Sequence, residues 1–187
     1  MRTTGYFALL VLASFASAAS AQEQFQIFGL PLGAKMPYAV KACAPNLKTS
    51  STACWLTRPS IGKDQKQVGR AMLPDDKSPS WAGRGEAKLT ITSEGILENV
   101  TIRRMPIDDE SMIRSSIERR FGGPSDSGRY PNGSYTRWAK AEADIKLICP
   151  TQSALCNIEF LSGAEFRRQE AAKEAEAVAR LRKPQTP

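Results

Sequence analysis

Polar and apolar residues alternate in the middle of the chain, which is the pattern of a half-buried β-strand. Ala87, Leu89 and Ile91 occupy the apolar positions, with lysine and threonine between them. Residues 96–105 form a second such segment, and Gly95 stands at the connection, where a positive φ suits a tight turn. The two segments therefore predict an antiparallel hairpin.

A helical period follows this hairpin. Ile113, Ile117 and Phe121 recur every four residues and form one apolar stripe. Asp108 or Asp109 stands where it would cap the N-terminus, at the positive end of the helix dipole. The signals that end a helix come directly after the stripe: Gly122, Gly123 and Pro124. The pattern predicts a helix that ends at Phe121 and packs through its stripe.

Strand-like segments return at 135–139, 143–149 and 156–161, after a polar loop at 125–134. Short connections between these segments favour antiparallel pairing. The order of elements predicts an α+β fold. We expect an antiparallel sheet of four to five strands with one helix packed on a face, plus a solvated C-terminal helix.

The region 44–85 is predicted to be an irregular loop, because prolines and glycines recur through it. Trp55 and Trp81 lie within this region. Each indole either anchors the loop to the domain or belongs to a recognition surface. Upstream, residues 25–33 predict a short strand or extended lead-in, and residues 34–42 predict a short helix.

The last part of the chain, residues 164–183, is rich in alanine and charged residues and has high helical propensity. No heptad repeat is sustained, so a coiled coil is disfavoured. The predicted organisation is a single domain over 22–163 and a charged helical tail over 164–187. We expect the tail to be solvated and anchored near Phe166, because its apolar stripe is weak: Ala171, Ala175, Val178 and Leu181.

Residues 1–21 have the three parts of a secretory signal peptide. Arg2 supplies the positive start, residues 6–15 a short apolar run, and residues 19–21 (ASA) a cleavage site. The run is too short for a membrane anchor, which needs ~20 apolar residues. We expect a periplasmic or secreted protein cleaved after Ala21, with no transmembrane segment in the mature chain.

Four cysteines agree with an exported protein, because disulfides form in oxidising compartments. We expect the pairs Cys43–Cys54 and Cys149–Cys156, since both close short loops. The spacings match neither a zinc site nor a redox motif. Strand alternation also places Cys149 and Cys156 on the same side as the apolar stripes of their strands.

Histidine is absent from the sequence. This excludes Ser-His-Asp and Cys-His catalytic sites and His-ligated metal sites built within the chain. The formal net charge is +7, so an acidic partner is favoured. Basic residues cluster in two pairs, Arg103 with Arg104 and Arg119 with Arg120; they form either a solvated basic face or a binding surface.

Two tight acidic clusters are the candidates for carboxylate catalysis, which needs no histidine. One is Asp75 with Asp76, and the other is Asp108, Asp109 and Glu110. A turn explains the first cluster and a helix start explains the second. The sequence contains no Ser-x-x-Lys motif of a serine-lysine hydrolase. We therefore predict no catalytic, cofactor-binding or metal-binding residues.

The segment 113–124 (IRSSIERRFGGP), followed by Trp138 and two strands, resembles a pattern of small exported bacterial domains. It is similar to the outer-membrane assembly lipoprotein BamE and to the beta-lactamase-inhibitor-protein fold. The resemblance covers about a third of the chain, and the chain lacks a lipid-anchoring cysteine at the predicted cleavage point. It implies a binding or assembly role without catalysis.

The leading hypothesis is a non-catalytic binding or adaptor protein of the bacterial cell envelope. Its partner would be an envelope protein or an anionic envelope polymer, with anionic lipid headgroups as an alternative ligand and no nucleic acid. The alternative activity is an envelope carbohydrate-active hydrolase using acids such as Asp75 or Asp108. The predicted contact residues are Trp55, Trp81, Arg103, Arg104, Arg119 and Arg120.

Overall fold

The computed structural model describes residues 25–62, 64–82 and 85–182. The predicted signal peptide, residues 1–21, lies outside the described residues. Within those residues the chain forms twelve strands and two α-helices, with three single-turn 3-10 helices between them.

The first six strands are short and precede residue 73. They are β1 (Gln26–Ile27), β2 (Leu30–Pro31), β3 (Lys41–Ala42), β4 (Cys54–Trp55), β5 (Ser60–Ile61) and β6 (Gln67–Met72). The 3-10 helices Asp75–Lys77 and Ser80–Ala82 lead to a long hairpin, β7 (Glu86–Ile91) and β8 (Leu97–Pro106). The third 3-10 helix, Ile107–Asp109, leads directly into α1 (Glu110–Phe121). The remaining elements are β9 (Asp126–Tyr130), β10 (Gly133–Ala139), β11 (Ala143–Pro150), β12 (Leu155–Ser162) and α2 (Gly163–Arg182).

Ten of these strands form one mixed sheet. Its order is β3-β4-β6-β7-β8-β12-β11-β10-β9, and β5 pairs with β6. The β3–β4 pair is parallel, whereas the other pairs of this sheet are antiparallel. β12 lies between β8 and β11, so the C-terminal hairpin joins the central hairpin at the middle of the sheet. β1 and β2 form a separate two-stranded sheet.

The predicted α+β fold with an antiparallel sheet of four to five strands is wrong. The fold is mostly β, because two segments predicted as irregular contribute strands. The region 44–85 supplies β4, β5 and β6, and the polar loop 125–134 supplies β9. An edge strand needs only backbone hydrogen bonds to join a sheet, so a polar sequence such as 126–130 (DSGRY) carries no apolar alternation. The helix predicted over 34–42 is also absent, and β3 lies there instead.

One face of the large sheet is covered, and the core lies beneath that cover. Leu89, Val100, Ile145 and Phe160 project from four central strands into this face and are fully buried. α1 packs there through its predicted stripe, with Ile113 and Ile117 buried in the same cluster. The β1–β2 hairpin covers the neighbouring part of the face, with its Ile27 and Leu30 also buried. We call this side of the sheet the inner face.

Both predicted disulfides are confirmed. Cys43 is joined to Cys54 and Cys149 to Cys156. Cys149 and Cys156 are buried on the inner face, as strand alternation predicted. In the loop-entropy account each bridge stabilises the fold by roughly 2.5–3 kcal/mol, because the closed loops are short.

α1 ends as the sequence indicates. Gly122 takes φ +81° after the last turn, and its N–H donates to the carbonyl oxygen of Glu118 at 2.8 Å. The predicted side-chain cap is not formed: Asp109 precedes the helix without accepting a hydrogen bond from it. The 3-10 helix of residues 107–109 occupies the approach to α1 instead.

α2 is the solvated helix that the sequence predicts. Its first turn contacts the sheet, whereas residues 171–181 are exposed along their whole length. Ser162 Oγ accepts a hydrogen bond from the N–H of Glu165 at 3.2 Å and caps the start. None of the helices in the described part of the chain has both the length and the apolar character needed to cross a bilayer.

Candidate functional site

The second face of the large sheet is open and polar, and we call it the outer face. Side chains alternate along β7, so Ala87, Leu89 and Ile91 are buried while Lys88 and Thr90 project outward. The outward side chains of β6, β7, β8, β12 and β11 line one groove of about 750 Å³. Five neighbouring strands span roughly 19 Å at the usual strand spacing. The groove is therefore wide enough for an extended ligand lying across the strands.

A β-bulge at the end of β8 directs two consecutive arginines into this groove. Ile102 pairs with Ile158 and Met105 pairs with Cys156, so two residues of β8 oppose one residue of β12. Those two residues are Arg103 and Arg104, and both are exposed and line the groove. Regular alternation would send neighbouring side chains to opposite faces. The bulge is what places both guanidinium groups on the outer face.

Arg104 holds this bulge at a backbone cost. Its φ is +65°, a conformation that glycine adopts freely but that costs an L residue of order 1 kcal/mol or more. Such strain is found preferentially at binding and catalytic sites. A charged side chain therefore stands at a position where the backbone itself favours glycine.

The groove is positively charged. Its lining contains five cations, Arg70, Lys88, Arg103, Arg104 and Lys146, and two carboxylates, Glu86 and Glu159, for a net charge of +3. Asparagine and threonine side chains of β7, β8 and β12 complete the polar lining.

Both carboxylates of the groove are already engaged. Glu86 pairs with Arg70 at 2.5 Å, and Glu159 accepts a hydrogen bond from Asn99 Nδ2 at 2.6 Å. Lys146 pairs with Asp144 at 3.0 Å. Among the described residues, the other three cations of the groove have no carboxylate within 4.0 Å: Lys88, Arg103 and Arg104. These three are the cations available to an incoming anion.

The first turn of α2 borders the groove beside Lys146. The ring of Phe166 lies 5.7 Å from Lys146 Nζ and 4.9 Å from the guanidinium carbon of Arg137. Cation–π contacts at these distances are attractive and fix the helix start against the sheet. The predicted anchor at Phe166 is thus confirmed.

An ion cluster around one buried carboxylate ties α2 to the sheet at a second point. Glu98, whose side chain is 4% exposed, binds Lys66 Nζ at 2.8 Å and Arg168 Nη2 at 2.9 Å. Burial alone would lower the pKa of Lys66, but the hydrogen bond and charge of Glu98 and the charge of Glu165 together raise it. The hydrogen bond that Arg168 donates to Glu98 likewise raises the pKa of Arg168. Glu165 contacts the same two cations, at 3.5 Å from Lys66 Nζ and 2.9 Å from Arg168 Nη1, so removing Glu98 would leave them only this second carboxylate.

Glu98 itself occupies a second β-bulge in β8. Thr90 pairs with Asn99 and Ile91 pairs with Leu97, so Glu98 has no partner across the strand pair. Leu97 is buried in the core, and Glu98 is the extra residue that reaches Lys66. One strand thus carries two irregularities, the first anchoring α2 and the second supplying the groove with arginines.

The structure separates the predicted contact residues. Arg103 and Arg104 share the groove, whereas Arg119 and Arg120 are exposed in the last turn of α1, which covers the inner face. Arg120 donates from Nη2 to the carbonyl oxygen of Gln26 at 2.7 Å. The grouping of the four arginines into one basic surface is therefore wrong, because the sheet lies between the two pairs.

Trp55 and Trp81 do not form an exposed recognition surface. They are 5% and 6% exposed. Trp55 packs on Gly69 of β6, where a Cβ would stand 3.2 Å from the indole ring. Of the two interpretations of these indoles, the structure supports the one in which they anchor the region 44–85 to the core.

The acidic clusters proposed for catalysis do not meet in the groove. Asp75 and Asp76 lie in an exposed 3-10 helix, and Asp108 and Asp109 lie in the one before α1. Glu110 accepts a hydrogen bond from Ser134 Oγ at 2.8 Å.

Within the described residues one cluster has the spacing of metal ligands, formed by Glu110, Cys149 and Cys156. The two sulfur atoms of this cluster are joined in the disulfide, so neither offers a thiolate to a metal. The cluster is a structural contact between α1 and the β11–β12 hairpin.

Sequence reasoning missed most of the groove. Lys88 was recognisable as an outward residue from the alternation of β7, but its neighbours belong to strands distant in sequence. Arg70 lies in a segment predicted as loop, and Lys146 comes 43 positions after Arg103. Only the strand order shows that these side chains share one surface.

No family model, no curated protein and no solved structure matches the chain significantly. The resemblance to BamE and to the beta-lactamase-inhibitor-protein fold therefore stays a prediction. The function has to be argued from the groove itself.

Proposed function

We propose that this protein is a non-catalytic binding protein of the bacterial cell envelope, and that its groove binds an anionic envelope polymer. The observation that carries the proposal is the bulge, which places Arg103 and Arg104 side by side on the open face. Lys88 adds a third cation without a carboxylate partner among the described residues. A polymer with regularly spaced negative charges would meet all three at once.

The shape of the groove favours an extended ligand over a compact one. It is open along one face of the sheet and crosses five strands. Neutral hydrogen-bonding groups stand between the cations: Thr90, Asn99, Thr101 and Asn157. Such groups suit the hydroxyl and carbonyl groups of a polysaccharide backbone, while the cations neutralise its charges.

The envelope location is part of this proposal. Two disulfides agree with an oxidising compartment, and the sequence of residues 1–21 predicts export. N-terminal sequencing of the protein recovered from the periplasm or medium tests this part, with Gln22 expected as the first residue. Recovery of an uncleaved chain with four free thiols from the cytosol would overturn it.

Binding is tested with dextran sulfate as the anionic probe and neutral dextran as its uncharged counterpart. The double variant Arg103→Gln/Arg104→Gln is compared with Arg119→Gln/Arg120→Gln, which removes the same charge from the other side of the molecule. We expect the first variant to lose about tenfold or more in affinity for dextran sulfate, since each charged hydrogen bond contributes ~1.5–3 kcal/mol. The second variant should stay close to the wild-type protein.

Salt dependence completes the test. The affinity for dextran sulfate should fall as ionic strength rises, because exposed charges are screened. Equal weakening by both double variants would show non-specific attraction to a basic protein and would contradict the proposed site. Binding of neutral dextran with the same affinity would contradict the anionic character of the ligand.

A further inference from the structure

One row of outward side chains runs across the strands from the arginine bulge to the edge of the sheet. Asn157 of β12 lies opposite the bulge, and Ile148 of β11 pairs with Asn157. Tyr135 of β10 pairs with Ile148, and Gly128 of β9 pairs with Tyr135 and ends the row. Side chains that face each other in an antiparallel pair lie on the same face of the sheet. Because Asn157 and Ile148 line the groove, Tyr135 continues the same outer surface.

This row changes from charged to apolar along its length. Its first part holds the guanidinium groups of Arg103 and Arg104. Its second part holds Ile148, whose side chain is 40% exposed, and the partly exposed Tyr135. From β8 to β10 the row crosses roughly 14 Å at the usual strand spacing. A chain lying across the strands would therefore meet positive charge at one end and an apolar surface at the other.

The ring of Tyr135 lies across the neighbouring strand and covers Gly128. A Cβ on Gly128 would stand 2.8 Å from Cε1 of Tyr135 and 3.2 Å from its Cζ, so the bare backbone there is what leaves room for the ring. The hydroxyl group of Tyr135 donates a hydrogen bond to Asp126 Oδ2 at 3.0 Å and fixes the far end of the ring. The same bond raises the pKa of Tyr135, so the hydroxyl stays a donor. The ring is thus placed before any ligand arrives, which lowers the entropic cost of binding.

A tyrosine ring held in this way is suited to stacking against a sugar. The face of an aromatic ring carries partial negative charge. The C–H bonds on the face of a sugar ring carry partial positive charge, because their carbons are bonded to oxygen. Contact between the two faces also removes apolar surface from water. Ile148, next to Tyr135 in the row, extends the apolar surface towards the groove.

Asp126 makes this end of the row suitable for a sugar residue without charge. Its side chain is exposed, and a carboxylate offers about four lone-pair sites, so it can accept hydrogen bonds from sugar hydroxyl groups besides that of Tyr135. Its negative charge would repel an anionic residue bound at the same place. From β8 to β9 the distance is roughly 19 Å, about twice the Debye length at physiological salt. The carboxylate therefore does not oppose the cations of the bulge.

We propose that the groove binds a polysaccharide in which neutral sugar residues accompany the anionic ones, and that a neutral residue stacks on Tyr135. This residue contacts Ile148 at its side and donates a hydroxyl group to Asp126. The inference rests on the proposed function, because it concerns a second part of the polymer whose charges meet Arg103 and Arg104.

Two carboxylate polymers separate the sugar ring from the charge. The first probe is hyaluronan, in which charged uronate residues alternate with neutral sugars, and the second is polyglutamate, which has carboxylates and no sugar. Tyr135→Ala should bind hyaluronan about three- to tenfold more weakly than the wild-type protein, by calorimetry, because it removes the stacking surface. Its affinity for polyglutamate should not change. Tyr135→Phe keeps the ring and should retain most of the affinity for hyaluronan.

Gly128→Ala tests the position of the ring and leaves every functional group in place. The added methyl group occupies the space of Cε1 and displaces the ring of Tyr135, which is the flexible end of an exposed side chain. We expect a loss of hyaluronan affinity similar to that of Tyr135→Ala and no change for polyglutamate. Met112→Ala is the control, since it removes a side chain of α1 that is 44% exposed on the other side of the molecule. It should bind both polymers as the wild-type protein does.

Failure of this inference and failure of the groove give different results. If Arg103→Gln/Arg104→Gln weakens the binding of both polymers while Tyr135→Ala weakens neither or both equally, the groove stands and the sugar subsite is wrong. If the arginine variant binds both polymers as the wild-type protein does, the groove is wrong and the subsite with it. Tyr135→Ala could also weaken binding to phosphatidylglycerol vesicles and leave hyaluronan unchanged. That result would assign Tyr135 to a membrane contact and would overturn the sugar subsite.

Discussion

The two faces of the large sheet are made by the same strands and differ in almost every other respect. On β12, Ile158 and Phe160 are fully buried beneath α1 and the β1–β2 hairpin, whereas the alternate residues Asn157 and Glu159 line an open groove. The inner face is apolar and closed; the outer face carries a net positive charge. One strand thus contributes alternately to stability and to the proposed binding surface, because its side chains alternate with a period of two.

The largest expected effect on stability comes from removing a buried side chain from the inner face. Phe160→Ala should lower the free energy of unfolding by about 3–5 kcal/mol, since it removes a fully buried ring and leaves a cavity. The neighbouring change Glu159→Ala, on the outer face, should cost less than about 1 kcal/mol, because it removes one partly exposed side-chain hydrogen bond. Urea titration of both variants under non-reducing conditions measures the difference.

Affinity for dextran sulfate gives a second comparison of the two faces. Glu159→Ala should leave dextran sulfate binding intact or strengthen it, because it removes a negative charge from the groove. A loss of stability in Glu159→Ala as large as that in Phe160→Ala would contradict the assignment of the two faces.

An intermediate effect on the free energy of unfolding is expected at the β-bulge of Arg103 and Arg104 in β8. Arg104→Gly should raise the free energy of unfolding by about 0.5–1 kcal/mol, since glycine adopts the positive φ without strain. Arg103→Gly, one position earlier, should lower it by a similar amount, about 0.5–1 kcal/mol. Chemical denaturation of the two variants gives the sign of each change.

Both glycine variants should bind dextran sulfate more weakly than the wild-type protein, because each removes one cation from the groove. Arg104 would then be a residue at which binding is favoured over stability. A destabilised Arg104→Gly would show that the positive φ carries no strain, and it would remove one support for the functional role of the bulge.

The smallest effect concerns Glu98, a buried carboxylate of the sheet that pairs with Lys66 and with Arg168 of α2. Because the folded-state pKa of Lys66 is raised, the stability from its pairing with Glu98 is complete below about pH 10.4, the ordinary lysine pKa. That stability is lost as the pH rises through the raised value. The free energy of unfolding is measured at a pH below the ordinary lysine pKa and at a pH above the raised pKa of Lys66. Between these two conditions it should fall more for the wild-type protein than for Glu98→Gln.

Glu159→Gln serves as the control for this measurement, because Glu159 lies in the groove and its hydrogen-bond partner is Asn99. It should follow the wild-type pH dependence. An identical fall in Glu98→Gln and the wild-type protein would show that the ion cluster contributes nothing to the attachment of α2.

Prediction from sequence succeeded where side-chain chemistry is local. The β7–β8 hairpin, α1 with its glycine end and the two disulfides all follow from spacings of a few residues. It failed for β9 and for the strands of the region 44–85. β4, β5 and β9 are short or lie at an edge, and they are held by backbone hydrogen bonds that any sequence offers. β6 has six residues and lies inside the sheet, but its sequence, QVGRAM, lacks a regular alternation of apolar and polar residues.

The candidate site was predicted only in part. Arg103 and Arg104 were named as contact residues, but so were Arg119 and Arg120, which the sheet separates from them. No periodicity in the sequence indicates a bulge at Arg104, because the register shift depends on how β8 pairs with a strand more than fifty residues later. Trp55 and Trp81 were ambiguous for a similar reason, since burial depends on what packs over them.

The sequence by itself determined which residues alternate, which stripe α1 buries, and how the four cysteines pair, because each of these is set within one element or one short loop. Only the tertiary structure decided the strand order, the two bulges of β8 and which charged side chains lie together in the groove. Hydrogen bonds between strands are made by the backbone and are common to all residues. The pairing of distant strands, and with it the neighbours of each outward side chain, therefore emerges only when the whole sheet is assembled.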